Sequence, residues 1–163
     1  MTIPELFLAE FDLEMPGARK LLERVPEASF SWKPHEKSMT LGRLASHIAD
    51  LPARCVTIIT TEELARQPGY TPWAGSTTGE LLEHFDTATS QARAALAGVG
   101  EDELNVMWTL KMGDRVLATM PRVMALRRVF MDHIIHHRAQ LGVFLRLLDV
   151  AIPGVYGASA DER

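Results

Sequence analysis

The chain predicts an all-α four-helix bundle in up-down-down-up order. Two observations carry this. Apolar residues recur at helical spacing in four separate segments, and strand-like alternation is scarce. A third allows the order: the connection between the second and third segments is long enough to let those helices run parallel. The 163 residues suffice for one core, so residues 1–163 are read as one domain.

The first helix is expected from about Pro4 to Val25, with Pro4 in its first turn. Phe7, Phe11, Ala18, Leu22 and Val25 share one face. Pro16-Gly17 predicts a kink or a break. "PEASFSWKPHEKS" reads as loop. The second helix begins near Ser38 or Thr40, both fair caps. Its stripe is Leu41, Leu44, Ile48, Leu51, Cys55, Ile58 and Ile59, and Pro52 should bend it. "RQPGYTPWAGS" is a further loop. The third helix opens at "TTGE", where Thr77 and Glu80 are spaced as a capping box. Leu81, Phe85, Ala88, Ala92, Leu96 and Val99 form its inner face. Between Glu101 and Pro121 the reading stays open: "VMWTL" and "RVLATM" suit short extended pieces, or the second an early turn of the last helix. That last helix runs from about Arg122 to Asp149 with only Gly142 to interrupt it.

Composition narrows the function. Seventeen Lys and Arg against 21 Asp and Glu give a net charge of −4, with no basic block, so a nucleic-acid partner is not expected. The N-terminus lacks a basic, then apolar, leader pattern. No apolar run reaches the ~18 residues of a membrane span. The single cysteine, Cys55, forms no internal disulfide and reads as a small buried hydrophobe. A soluble cytoplasmic protein is expected.

The densest chemistry lies in "MDHIIHHRAQ", residues 131–140. A helix advances about 100° per residue. With His133 at zero, Leu126, Phe130, Leu141, Phe144 and Leu148 fall between roughly +20° and +80°. His137 lies near +40°, inside that stripe, and His133 just inside its edge. His136 comes out near −60°, on the flank beside Asp132. Imidazoles at i and i+4 can converge on one ion, and bundle interiors hold such sites. Two separate, hydrogen-bonded histidines are the plainer alternative. The residues between them are Ile134, Ile135 and His136, so the glutamate of a zinc protease motif is missing.

Residue patterning leaves the third ligand open. His47 sits at the margin of the second helix's stripe, and His84 flanks the third helix, where a solvated role fits better. His35 is in a loop. Glu14 falls in the first helix's apolar face, as a ligand or a partner to one, unless Pro16 turns it outward. Trp32 and Trp73 read as aromatic plugs, with a pocket mouth as the alternative. Arg138 projects to the far flank of the last helix, for packing or a salt bridge.

The stretches "WKPHEKSMTLGRLASHIADLP", "HIIHHRAQLGVFLR" and the tail "IPGVYGASADE" resemble the DinB-like superfamily of small four-helix-bundle proteins, which includes bacillithiol- and mycothiol-dependent transferases. The resemblance implies a divalent metal held by one histidine of the second helix and an H-x3-H pair of the last. These correspond to His47, His133 and His137. It also implies a tail packed back on the bundle, with Tyr156 structural, and a homodimer. Between about Tyr70 and Pro121 the likeness is one of pattern only.

Three histidines leave a coordination position open, as in catalytic rather than structural sites. All-imidazole ligation suits zinc, nickel, copper or iron. The resemblance to the DinB-like superfamily makes transfer of a low-molecular-weight thiol to an electrophile, in detoxification or stress response, the leading expectation. The alternatives are a non-catalytic metal- or ligand-binding stress protein, and a metal-assisted hydrolase with Glu14 or Asp50 as base.

Overall fold

The computed structural model describes residues 1–163. Three long helices are α1 (Ile3–Leu22), α2 (Leu41–Thr60) and α3 (Thr78–Gly98). A short α4 (Glu101–Leu104) follows, then the hairpin strands β2 (Met107–Met112) and β3 (Arg115–Pro121). Strand β1 (Glu63–Arg66) comes directly after α2. The last long segment has three parts: α5 (Arg122–Ala125), a π-helical stretch over Leu126–Met131, and α6 (Asp132–Leu147).

The caps follow their side chains. Thr2 closes a capping box with Glu5. Thr40, the expected cap of α2, accepts from the Arg43 amide at 3.2 Å. Thr77 accepts from the Glu80 amide at 3.1 Å, but the Glu80 carboxylate reaches the Ser76 amide at 2.6 Å instead of returning to Thr77. The capping box expected there is therefore half formed.

Both interior prolines are tolerated. α1 runs unbroken through Pro16 and α2 through Pro52, so of the kink or break expected at Pro16-Gly17 the break does not occur. An interior proline costs roughly 3 kcal/mol. Burying Phe7, Phe11, Met15, Ala18, Leu21 and Leu22 along the same helix outweighs one such cost. Gly17 serves close approach: a Cβ there would meet Arg138 Nη1 at 3.1 Å and Val155 Cγ1 at 3.0 Å.

The helices enclose one apolar cluster centred on Phe11, Leu44, Ile48, Phe85, Phe130 and Leu141. Polar links join them at their edges. Arg19 grips Asp86, and Arg93 grips Asp12, between α1 and α3. Arg122 donates to the carbonyls of Ile58 and Thr61, tying the start of the last segment to the end of α2.

A small mixed sheet corrects the all-helical expectation. β1 pairs parallel with β2, Glu63 opposite Thr109 and Arg66 opposite Met112. β2 pairs antiparallel with β3, with an irregularity between Leu110 and Lys111. The hairpin turns at Gly113-Asp114, and Gly113 has φ +56°, a value glycine adopts without strain. Trp108 anchors the sheet, its side chain fully buried against the helices. Four-residue β1 carries no local signal and exists because β2 supplies its partner.

Trp32 and Trp73 both pack partly buried against the core, as plugs. Trp32 meets Phe144 edge-on at 5.6 Å, and Trp73 stacks on His84 at 3.9 Å. No helix is long and apolar enough to cross a membrane.

Candidate metal centre

The π-helical stretch decides what faces inward. Each of its hydrogen bonds spans five residues rather than four, so everything after it lags the α-helical phase. Leu126 and Phe130 are buried, as the stripe requires; beyond them the buried positions are Met131, Ile134, Arg138, Leu141 and Leu145. An unbroken helix places His133 and His137 on that line. The shift of about one residue moves them to its half-buried margin, facing α2, and brings Arg138 to the centre. Arg138 is 3% exposed, which corrects its expected place on the far flank.

Arg138 is compensated there. It pairs with the Glu14 carboxylate at 2.6 Å and donates to the Glu14 carbonyl at 2.9 Å and the Tyr156 hydroxyl at 2.6 Å. The Tyr156 hydroxyl donates in turn to the Glu14 carboxylate at 2.9 Å. Glu14 is thus an ion-pair partner of Arg138. Tyr156 docks the tail, assisted by Asp161 on Arg146 and Glu162 on the Gly154 amide.

The three expected histidines do come together. His47, His133 and His137 offer ring nitrogens that all lie within 4.8 Å of one another. Ring centroids are 4.7–5.0 Å apart. His47 Nε2 and His133 Nε2 are separated by 3.2 Å. Two nitrogens on one tetrahedral zinc, each about 2.0–2.1 Å from it, stand about 3.3–3.4 Å apart. The spacing therefore fits two vertices of a coordination shell. His136 is exposed and its ring lies edge-on to that of His137 at 4.9 Å, but its nitrogens are not among those that converge. His84 hydrogen-bonds Asp50 at 3.1 Å, and loop residue His35 accepts from the Lys37 amide.

Neighbouring groups prepare the rings. His137 Nδ1–H donates to Gln140 Oε1 at 2.7 Å, which frees Nε2. His133 Nδ1 faces two unlike neighbours, the Val129 carbonyl at 3.3 Å and Arg54 Nη1 at 3.1 Å. Only the first accepts a proton, and that arrangement leaves His133 Nε2 free to ligate. Burial, then the Arg54 charge, pushes His47 down to about 3 and His133 down to about 4. Burial also lowers His137, against the Gln140 contact. The imidazoles are therefore neutral near pH 7, the form a metal needs.

Arg54 is a site residue that the sequence does not single out. It lies seven residues after His47, and therefore on the same face of α2, which was its available signal. Burial, then Arg66, lowers it to about 10, still charged at neutral pH. Cys55 is a different case: burial pushes its thiol up, leaving no reactive thiolate.

The fold and site together define a mostly helical protein with a small sheet and a three-histidine cluster compatible with a divalent metal. The chain belongs to the DinB family, whose sequence profile matches residues 5–162. It is 26% identical over 160 residues to the uncharacterized protein YrdA of Bacillus subtilis (strain 168), covering 96% of this chain and 89% of that one. Two solved structures share the fold. A DinB-like protein of Bacillus cereus ATCC 10987 has a TM-score of 0.71 at 22% identity, covering 93% of this chain and 97% of that one. The DinB-like protein YjoA of Bacillus subtilis has a TM-score of 0.70 at 20% identity, covering 92% and 96%.

Proposed function

We propose that His47, His133 and His137 hold a divalent metal ion and that the chain transfers a small-molecule thiol to an electrophile. The observation that carries this reading is the convergence of three neutral, half-buried imidazoles beside an open cleft. A divalent ion held there supplies a Lewis acid that favours the deprotonated form of a thiol or water. Sulfur attacks the electrophilic carbon as the S–C bond forms. The leaving group departs with its electron pair, and the thiol proton passes to solvent.

The protein's own groups suit such a step. Arg54, beside His133, favours negative charge at the site. Cys55 is sealed in the core, so the thiol is a second substrate. Hydrolysis is less well supported. The Glu14 carboxylate is committed to Arg138 and Tyr156, and Asp50 is bonded to His84, so neither is offered as a base.

The same reading includes the up-down-down-up order and a homodimer. The pairs Arg19–Asp86 and Asp12–Arg93 support antiparallel α1 and α3; the links from Arg122 to Ile58 and Thr61 support antiparallel α2 and last helix. Exposed Leu6 and Leu13 on α1, with Val143 and Leu147 on α6, support association. A monomeric mass by light scattering at micromolar concentration removes the dimer.

The test is thiol consumption by protein never exposed to nickel resin. Assays run with zinc, nickel or iron restored, with a panel of low-molecular-weight thiols and alkylating electrophiles. Turnover that needs both metal and thiol supports the reading. Metal binding without turnover favours a non-catalytic binding protein. Metal-dependent hydrolysis without thiol favours the hydrolase.

A further inference from the structure

Next to the histidines lies a cleft whose charge is left uncompensated. α2 turns Arg54 toward it. Alternation along β1 puts Leu64 and Arg66 on one half-buried face. The π-helical stretch adds Arg128. Two adjoining hollows, of about 520 and 290 Å³, share Arg54, Leu64 and Arg66. The larger extends to Tyr70 and the smaller to Arg128 and His133.

None of Arg54, Arg66 and Arg128 forms an ion pair with a carboxylate. The other cation of the lining, Lys111, is paired with Glu63, and its one acid, Asp50, is bonded to His84. Three unpaired guanidiniums around one hollow are notable in a chain with more acidic than basic residues. Their mutual repulsion is relieved by an anion, and planar guanidinium forks match oxyanions in bidentate fashion.

The hydrogen bonding of His133 adds a second argument. When His133 Nε2 ligates a metal, Nδ1 carries the proton and no longer accepts from Arg54. The Arg54 donors, 3.1 Å from that nitrogen, are then left without an acceptor on the cleft side of the site.

We propose that this cleft binds an oxyanion group, a carboxylate or a phosphate, of the small molecule that enters beside the histidine cluster, gripped by Arg54, Arg66 and Arg128. Leu64 and the ring of Tyr70, over which Arg66 sits 5.7 Å from the centroid, form an apolar wall for the attached carbon skeleton. That this molecule is the thiol or the electrophile rests on the S-transfer reading; the binding itself does not.

The experiment is calorimetric titration of zinc-loaded and metal-stripped protein with succinate and, separately, with inorganic phosphate. Wild type is compared with the double variant R66Q/R128Q and the charge-preserving R66K/R128K, at low and high salt. Zinc content and circular dichroism verify that each variant folds and keeps its centre. The proposal expects saturable binding of at least one anion. Binding should weaken about tenfold or more in R66Q/R128Q, less in R66K/R128K, and at high salt. It should persist without metal. Tighter succinate assigns a carboxylate; tighter phosphate assigns a phosphate. The proposal is overturned if neither anion binds saturably, if R66Q/R128Q binds like wild type, or if binding disappears with the metal. Anion binding without thiol turnover would remove the S-transfer reading and leave this site standing. Turnover without anion binding would do the reverse.

Discussion

Replacing Arg138 by alanine should be among the most destabilising single changes in the protein. Its side chain is 4% exposed and that of Glu14 10%. Removing the guanidinium deletes its ion pair with Glu14, its bond to the Glu14 carbonyl and its bond to Tyr156. The buried Glu14 carboxylate would keep only the Tyr156 hydroxyl. Breaking a buried pair by deleting one partner costs about 3–5 kcal/mol. For a chain of this size that lowers the melting temperature by about 6–20 °C. The double variant E14M/R138M should recover most of the loss, since removing both charges leaves neither unpaired. Urea unfolding of metal-stripped protein, followed by circular dichroism, measures wild type, R138A, the single variants E14M and R138M, and the double variant. A loss under about 1 kcal/mol for R138A, as for a surface change, would refute the buried pair. So would losses in E14M and R138M that simply add.

Acid should weaken the metal-free fold early. Unfolded histidines take up protons near 6.5, whereas His133 does so at about 4 and His47 at about 3. Their depressed values mean the unfolded chain binds more protons in this window, so stability is full above about 6.5 and falls as pH drops toward 4. Solvent reaches these half-buried rings, so the summed loss is on the order of 1–2 kcal/mol. A flat urea midpoint between pH 6.5 and 5 would contradict it. Gln140→Ala removes the acceptor that orients His137. Zinc affinity should fall about 10- to 100-fold with little change in melting of metal-free protein; competition with a chelating dye reads it, and unchanged affinity would deny Gln140 this positioning role.

The helices were legible because their stripes and caps are local. Thr40 and Thr77 cap where their side chains suggest, and Phe7, Phe11, Leu44, Ile48 and Phe85 are buried as their spacing implies. The sheet was half legible. "VMWTL" and "RVLATM" flank Gly113-Asp114, a hairpin signal, whereas β1 depends on a partner over forty residues away. The phase of the last helix was not legible. No proline or glycine marks the π-helical stretch at Leu126–Met131, and only packing reveals it. An uninterrupted α-helical phase therefore puts Arg138 outside and His137 too deep. The pairing of His133 with His137 survived because both follow the shift together. Arg54, Arg66 and Arg128 lie on separate elements that only the fold brings to one cleft.

Metal content per chain in three proteins tests the central claim most directly: wild type, His136→Ala and His137→Ala, purified without nickel resin and loaded with zinc. His136 is exposed and packs against the rim of the cluster without joining its converging nitrogens, while His137 is one of the three rings that do. Elemental analysis after dialysis should find His136→Ala near wild type. His137→Ala should be nearly empty and should lose the stabilisation that bound metal adds. An empty His136→Ala beside a full His137→Ala would contradict both the helix phase and the assignment of His47, His133 and His137 as the metal centre.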